Sequence, residues 1–306
     1  MISKSSYIYL GDQMKIGISK ALYYYYLYDK WRYFFEQLDI EIITFDTDKE
    51  IIDQGNLYAS SEMCLSLKIF LGHVAKLQDK CDYILIPKID NYGVEDQMCA
   101  NFSCLYDLVA NIFDVKILTY EIDYRKHKKE LAGFIKMGKE LGFNKKVIKS
   151  AYKNACIKQK KGLKKKIIEN TNKLESTKKK ILVVAHSYNI HDRYFGSSII
   201  DNLKKFDCEI IYSDLLENTN GLSIYLSKDL YWKYSKENIG AIVLCQEKID
   251  GILFLSSFPC GLDSLVNELV IRKIDKPYLN LIIDDLDAIA GIETRIESFI
   301  DIIDQN

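Results

Sequence analysis

The sequence predicts an α/β protein of two Rossmann-like lobes with parallel sheets, joined by a helical connector. Three observations carry this. Short apolar runs of strand length alternate with helix-length amphipathic segments, which is the pattern of strands linked by crossover helices. The alternation occurs twice, over 1–125 and again over 180–306. Between them, 126–179 holds many lysines and no proline.

In the first half, MKIGIS (14–19) is a strand, and ALYYYYLYDKWRYFFEQL is a tyrosine-rich helix. IEIITFD (40–46) is the next strand. SEMCLSLKIFLGHVAKLQDK (61–80) places Leu67, Phe70, Leu71, Val74 and Leu77 at helical spacing. CDYILIPKI (81–89) is a strand ending at Pro87, CLYDLVANIF (104–113) a helix and KILTYEI (116–122) a strand. Helical periodicity in LAGFIKMGKELG and VIKSAYKNACIKQKKGLKKKIIENTNKLE makes the connector. In the second half KKILVVAHS, CEIIYSD, DGILFLSSFP and KPYLNLIID are strands. They alternate with helices over DRYFGSSIIDNLKKF, LSKDLYWKYSKENIGAIVLC, CGLDSLVNELVIRKI and GIETRIESFIDII.

Composition narrows function. With 306 residues, 48% of them apolar, the chain can build a sizeable core in each half and is not wholesale disordered. A net charge of −1 gives no global attraction to nucleic acid or membrane. The connector's lysines read first as a solvated helix face, and second as a docking patch for an acidic partner. The N-terminus lacks an apolar core of signal-peptide type, and no apolar run reaches membrane-span length, so a cytoplasmic protein is expected.

Eight cysteines in such a compartment are not a disulfide framework. Cys81, Cys156, Cys208 and Cys245 fall in strands or helices and read as small buried apolar residues. Cys64, Cys99, Cys104 and Cys260 lie near strand ends or loops, on the edges where open α/β sheets bind ligands. If the halves face one another, these four thiols converge between them. Four thiols without a neighbouring histidine suit Cys₄ zinc or a [4Fe–4S] cluster. Their spacing matches neither a zinc ribbon nor a ferredoxin run, so incidental cysteines stay open. G-x-G-x-x-G, G-x-x-x-x-G-K-[ST] and H-E-x-x-H are all absent, so ATP hydrolysis by this chain is not expected. His186 ends a strand on the same edge as Cys260, and Asp284 and Asp285 end the last one.

KIGISKALYYYYLYDKWRYFFEQL, SEMCLSLKIFLGHV, the Cys99/Cys104 loop, VVAHSYNIHDRYFG, DLYWKYSKENIGA, LSSFPCGLDSLVNEL and LIIDDLDAIAGIETRIESFIDII follow in order. Together they resemble the acyl-CoA dehydratase activase-related proteins, a family similar to the iron–sulfur subunits of 2-hydroxyacyl-CoA dehydratases. The resemblance implies a [4Fe–4S] cluster held by Cys64, Cys99, Cys104 and Cys260. It also implies a partner: an ATP-hydrolysing iron–sulfur activase of the actin-like ATPase superfamily. That activase would supply a low-potential electron, which this chain would pass to a hard-to-reduce substrate such as an acyl-CoA. His186 and Ser257 are the candidate catalytic residues, with Tyr188, Asn189 and Ser256 beside them. The chain departs from the family pattern at Ser66, at Ser19-Lys20, at Leu262 and at Leu286 after Asp285. Alternative readings are a non-catalytic cluster scaffold or maturation partner, and a small-molecule-binding α/β protein with incidental cysteines. A homodimer is one reading of assembly, since the tyrosine-rich helix needs cover.

Overall fold

The computed structural model describes residues 13–285 and 291–305. Leu286 and the first twelve residues, on which the absence of a signal segment was read, lie outside the described residues.

The first sheet is wholly parallel. It contains β1 (Lys15–Gly17), β2 (Glu41–Ile43), β3 (Tyr83–Leu85) and, further along the chain, β5 (Ile117–Leu118), in the order β2-β1-β3-β5. A parallel two-stranded ladder of β4 (Lys88–Asn91) and β6 (Glu121–Asp123) extends it. The expected strand 81–89 is therefore two strands, broken at Pro87, which has no N–H to give to the ladder. Bonds from Ile86 N to Leu118 O and Lys88 N to Tyr120 O, both 2.9 Å, hold the two chains together across the break.

The second sheet is longer and also parallel. β7 (Lys179–Ala185), β8 (Cys208–Tyr212), β9 (Gly251–Ser257) and β10 (Tyr278–Ile283) take the order β10-β9-β7-β8. Both sheets thus place the first strand of the lobe between its second and third. Alternation within the apolar runs sorts the core. Ile181, Val183, Ala185, Leu253 and Leu255 join a cluster that continues into the first lobe. Leu182, Val184, Ile252 and Phe254 face a second cluster on the other side of the sheet. Burial on both faces is why these strands read as unbroken apolar runs.

Twelve α-helices are described: α1 (Tyr24–Glu36), α2 (Lys49–Tyr58), α3 (Leu65–Leu77), α4 (Ala100–Ser103), α5 (Leu105–Ile112), α6 (Glu130–Glu140), α7 (Lys145–Asn172), α8 (Ser187–His191), α9 (Gly196–Leu203), α10 (Lys233–Cys245), α11 (Gly261–Ile271) and α12 (Ile292–Asp304). α2 has no counterpart in the sequence reading. Its signal is Asp48, whose carboxylate caps the helix by accepting from Ile51 N at 2.8 Å. α2 then crosses α3 with backbone on backbone: a Cβ on Gly55 would stand 2.0 Å from Lys68 O, and one on Gly72 1.8 Å from Ile51 O. The helix expected to begin near Leu226 starts only at Lys233. α7 lies along α1 and α6. It buries only Ile148, Ala151, Ala155 and Asn170, and all ten of its lysines are exposed, as a solvated face requires.

Part of the tyrosine helix is covered within the chain. Tyr23 is buried, Tyr26 stacks on Tyr234 of the second lobe with ring centroids 3.9 Å apart, and Gln159 of α7 donates to Tyr26 O at 3.2 Å.

Candidate functional site

The four singled-out cysteines share one local role. Cys64 is the N-cap of α3, Cys99 of α4, Cys104 of α5 and Cys260 of α11. Oxygen-bearing Ser, Thr, Asp and Asn are the usual N-caps, so cysteine at four of them is a departure that helix stability does not explain. The other four cysteines have no such place: Cys156 lies inside α7, Cys245 ends α10, Cys208 begins β8 and Cys81 precedes β3.

These caps lie at the seam between lobes. Leu65 N, next to Cys64, donates to Phe258 O at 2.8 Å, two residues before Cys260. Asn101 Nδ2 donates to Cys64 Sγ at 3.3 Å, and Asp263 N donates to Cys260 Sγ at 3.4 Å. The Cys104 thiol points back to Asn101 O at 3.7 Å. All eight cysteines are free. Burial pushes the Cys99 thiol up to about 11, and burial raises Cys64 and Cys104 as well. Cys260 is raised furthest, by burial and then by the Asp263 carboxylate. A helix N-terminus favours a thiolate, but here desolvation wins and the bare thiols stay protonated at neutral pH. Among the described residues, no three His, Cys, Asp or Glu side chains are grouped to hold a metal ion.

Beside the cysteines, three polar side chains tie the lobes together. Ser257 Oγ donates to Asn189 Oδ1 at 2.6 Å, Ser66 Oγ approaches the same oxygen at 3.2 Å, and the two hydroxyls lie 2.7 Å apart. Asn189 Nδ2 is buried without a partner. The adjoining void, about 10 Å³, has room for one water. A few residues away, His186 Nε2 lies 3.0 Å from Asp263 Oδ1, and His186 Nδ1 lies 3.4 Å from Tyr26 OH. Since Tyr26 OH accepts from Ser187 N at 3.2 Å, its own proton points to Nδ1 and the imidazole proton sits on Nε2, toward Asp263. The His186 ring stacks on Tyr188, 5.0 Å between centroids. Ser256 is buried at the end of β9. Asp285, at the end of β10, accepts from Asn56 Nδ2 at 3.0 Å and faces Lys68 Nζ at 3.7 Å, while burial raises its neighbour Asp284.

A second joint lies nearby. Asp192 Oδ2 accepts from Thr47 Oγ1 at 2.6 Å and Tyr25 OH at 3.3 Å, while Oδ1 accepts from Tyr194 N and Phe195 N at 2.9 and 3.3 Å. Thr47 Oγ1, its proton committed to Asp192, accepts from His73 Nε2 at 3.2 Å. Sequence reasoning missed Asp192, Thr47, Asn101 and Asp263. Only Asp263 carried a signal, an acidic residue three positions after an N-cap.

Fold and site together define a two-lobed α/β protein whose lobes meet at a seam of capping thiols and buried hydrogen bonds. Residues 15–216 match the CoA enzyme activase uncharacterised domain, and the chain belongs to that family. The matched segment contains Cys64, Cys99, Cys104 and His186; Ser257 and Cys260 lie beyond it. No curated protein matches the sequence. Among solved structures, one titled "Crystal structure of ZnuA" is similar at 11% identity and a TM-score of 0.27, covering 96% of this chain and 99% of that one. At that score the likeness carries no argument.

Proposed function

We propose that this chain is an iron–sulfur component of a 2-hydroxyacyl-CoA dehydratase-related system. It would take low-potential electrons from an ATP-hydrolysing activase and pass them to a substrate that is hard to reduce. The observation that carries the reading is the placement of Cys64, Cys99, Cys104 and Cys260 as four helix N-caps at the interlobe seam. The donor set is that of a [4Fe–4S] cluster: four free thiols, two of them already accepting N–H bonds, with Cys64 and Cys260 at the N-termini of full-length helices. Each thiol of a cubane binds a different iron, so the four need not close on one point as they do around a single zinc ion. When bound, the cluster supplies a one-electron redox centre.

The surrounding residues then have definite tasks. Asn101 Nδ2 and Asp263 N stabilise negative charge on the sulfurs of Cys64 and Cys260. Leu65, buried beside Cys64, helps to keep water out of the seam. Asp263 fixes the His186 tautomer and ring orientation.

A second reading, the cluster-binding scaffold, draws support from one observation. Ser257 and His186 are both buried and both engaged by other side chains, and the voids beside them hold about one water each. Replacing either by Ala separates the readings. Turnover lost with iron retained supports a catalytic role, and turnover kept removes that residue from the reaction.

The deciding experiment measures iron and acid-labile sulfide, with absorption and EPR spectra, on protein purified without oxygen. The Cys99→Ala/Cys104→Ala variant is measured beside it. About four irons and four sulfides per chain, lost in the variant, is the expected outcome. A colourless wild type that resists reconstitution overturns the proposal. Reduction of the cluster by an activase with ATP then tests the electron-accepting role.

A further inference from the structure

A cleft of about 790 Å³ opens on the tyrosine-rich face of α1, and none of the four capping cysteines lines it. α7 forms one wall; the 213–220 segment and α10 form the other. Its volume is that of a small-molecule site, whereas the voids at Ser257 and His186 are water-sized. Seven tyrosines line the cleft. Tyr24 stacks on Tyr28 at 4.3 Å, Tyr26 on Tyr234 at 3.9 Å, and Tyr25, Tyr92 and Tyr124 complete the lining.

The charges of the lining are unequally matched. Lys30 is paired to Glu130 at 2.7 Å, and Lys233 is paired to Glu237. Asp214 is the exception among the acids. Its side chain is only 8% exposed; Oδ2 accepts from Ser187 Oγ and faces His191 Nε2 at 3.4 Å. Oδ1 is buried and has no hydrogen-bond partner, and Asn220 Oδ1, in the same wall, is likewise buried and unpartnered. Buried acceptors without donors are costly and call for an explanation.

We propose that this cleft binds an organic cation: a small molecule with an apolar body and at least one primary or secondary ammonium. Tyrosine faces attract cations, as Lys20 over Tyr24 and Lys233 over Tyr92 and Tyr234 already show on rings of this cleft. The unpartnered oxygens of Asp214 and Asn220 want N–H donors, which a quaternary ammonium lacks. Phosphates and carboxylates are disfavoured, because acids outnumber lysines in the lining and two of its three lysines are already paired.

The test is calorimetric titration of the full chain with spermidine at physiological salt. Tetramethylammonium, glucose and inorganic phosphate serve as comparators. Wild type and the near-isosteric Asp214→Asn are compared, with Tyr28→Ala as a second variant on another element and circular dichroism to establish folding. Spermidine is expected to bind the wild type below about 1 mM and to weaken by at least about tenfold in Asp214→Asn. Tetramethylammonium should bind more weakly than spermidine. Three results would each overturn the proposal: no binding at about 1 mM, equal affinity in wild type and Asp214→Asn, or preference for glucose or phosphate. Iron content, measured on the same samples, reports separately on the thiol site.

Discussion

Lowering the pH should destabilise the protein through one residue, His73, and the size of the effect follows from its surroundings. His73 sits on α3 with no exposed surface. Its Nε2–H reaches Thr47 Oγ1, and its Nδ1 is buried without a partner. Burial holds its pKa down from 6.5 to about 3. The folded state therefore keeps His73 neutral where the unfolded chain protonates it. The contribution is fully present above about pH 6.5, and stability falls as pH drops below that, until the folded-state pKa is reached. Each pH unit in this window removes about 1.4 kcal/mol, so about 2 kcal/mol is gone by about pH 5. Asp192 opposes this, because burial raises its carboxyl and acid stabilises it in the folded state. Comparing wild type with His73→Gln cancels that term, since both proteins keep Asp192. Urea unfolding at steps between pH 8 and pH 5 is the assay. The stability difference between wild type and variant should be flat above about pH 7 and shrink by about 1.4 kcal/mol per unit below about pH 6.5. Parallel pH profiles for the two proteins would refute the reasoning.

Gly72→Ala should cost at least about 3 kcal/mol, because its Cβ meets the rigid carbonyl of Ile51 rather than a side chain that can swing away. A melting temperature close to wild type would show that α2 and α3 can separate without loss. Asp192→Ala leaves Thr47, Tyr25 and two backbone N–H groups without their acceptor and should cost about 2–4 kcal/mol. Protease sensitivity at the interlobe seam should rise with it, and an unchanged cleavage rate would argue against this joint. Tyr26→Phe keeps the stack on Tyr234 but removes the hydroxyl between His186 and Ser187 N, at about 1–2 kcal/mol by chemical unfolding; an undiminished midpoint would show that water replaces it.

Strand and helix alternation was legible in the sequence because it rests on local periodicity. A strand such as 179–185, buried on both faces, must be apolar throughout, and a helix must repeat its apolar residues every three to four positions. The four cysteines stood out for the same reason, since strand ends and helix starts can be located from the pattern on either side of them. The sequence by itself thus determined the two parallel sheets and the residue types at their binding edges. Tertiary structure alone decided what those residues touch. The split at Pro87, the helix α2 and the late start of α10 depend on which strand or helix lies alongside. The Ser66–Asn189–Ser257 knot and the Thr47–Asp192–Tyr25 joint connect residues more than a hundred positions apart, and no local pattern records such a pairing. The cleft on α1 exists only because α7 and α10 flank one tyrosine face without filling it. Burial, which shifts the pKa of His73 and of the four capping thiols, belongs to the packed chain, because it depends on how many neighbours exclude water and not on the identity of the residue.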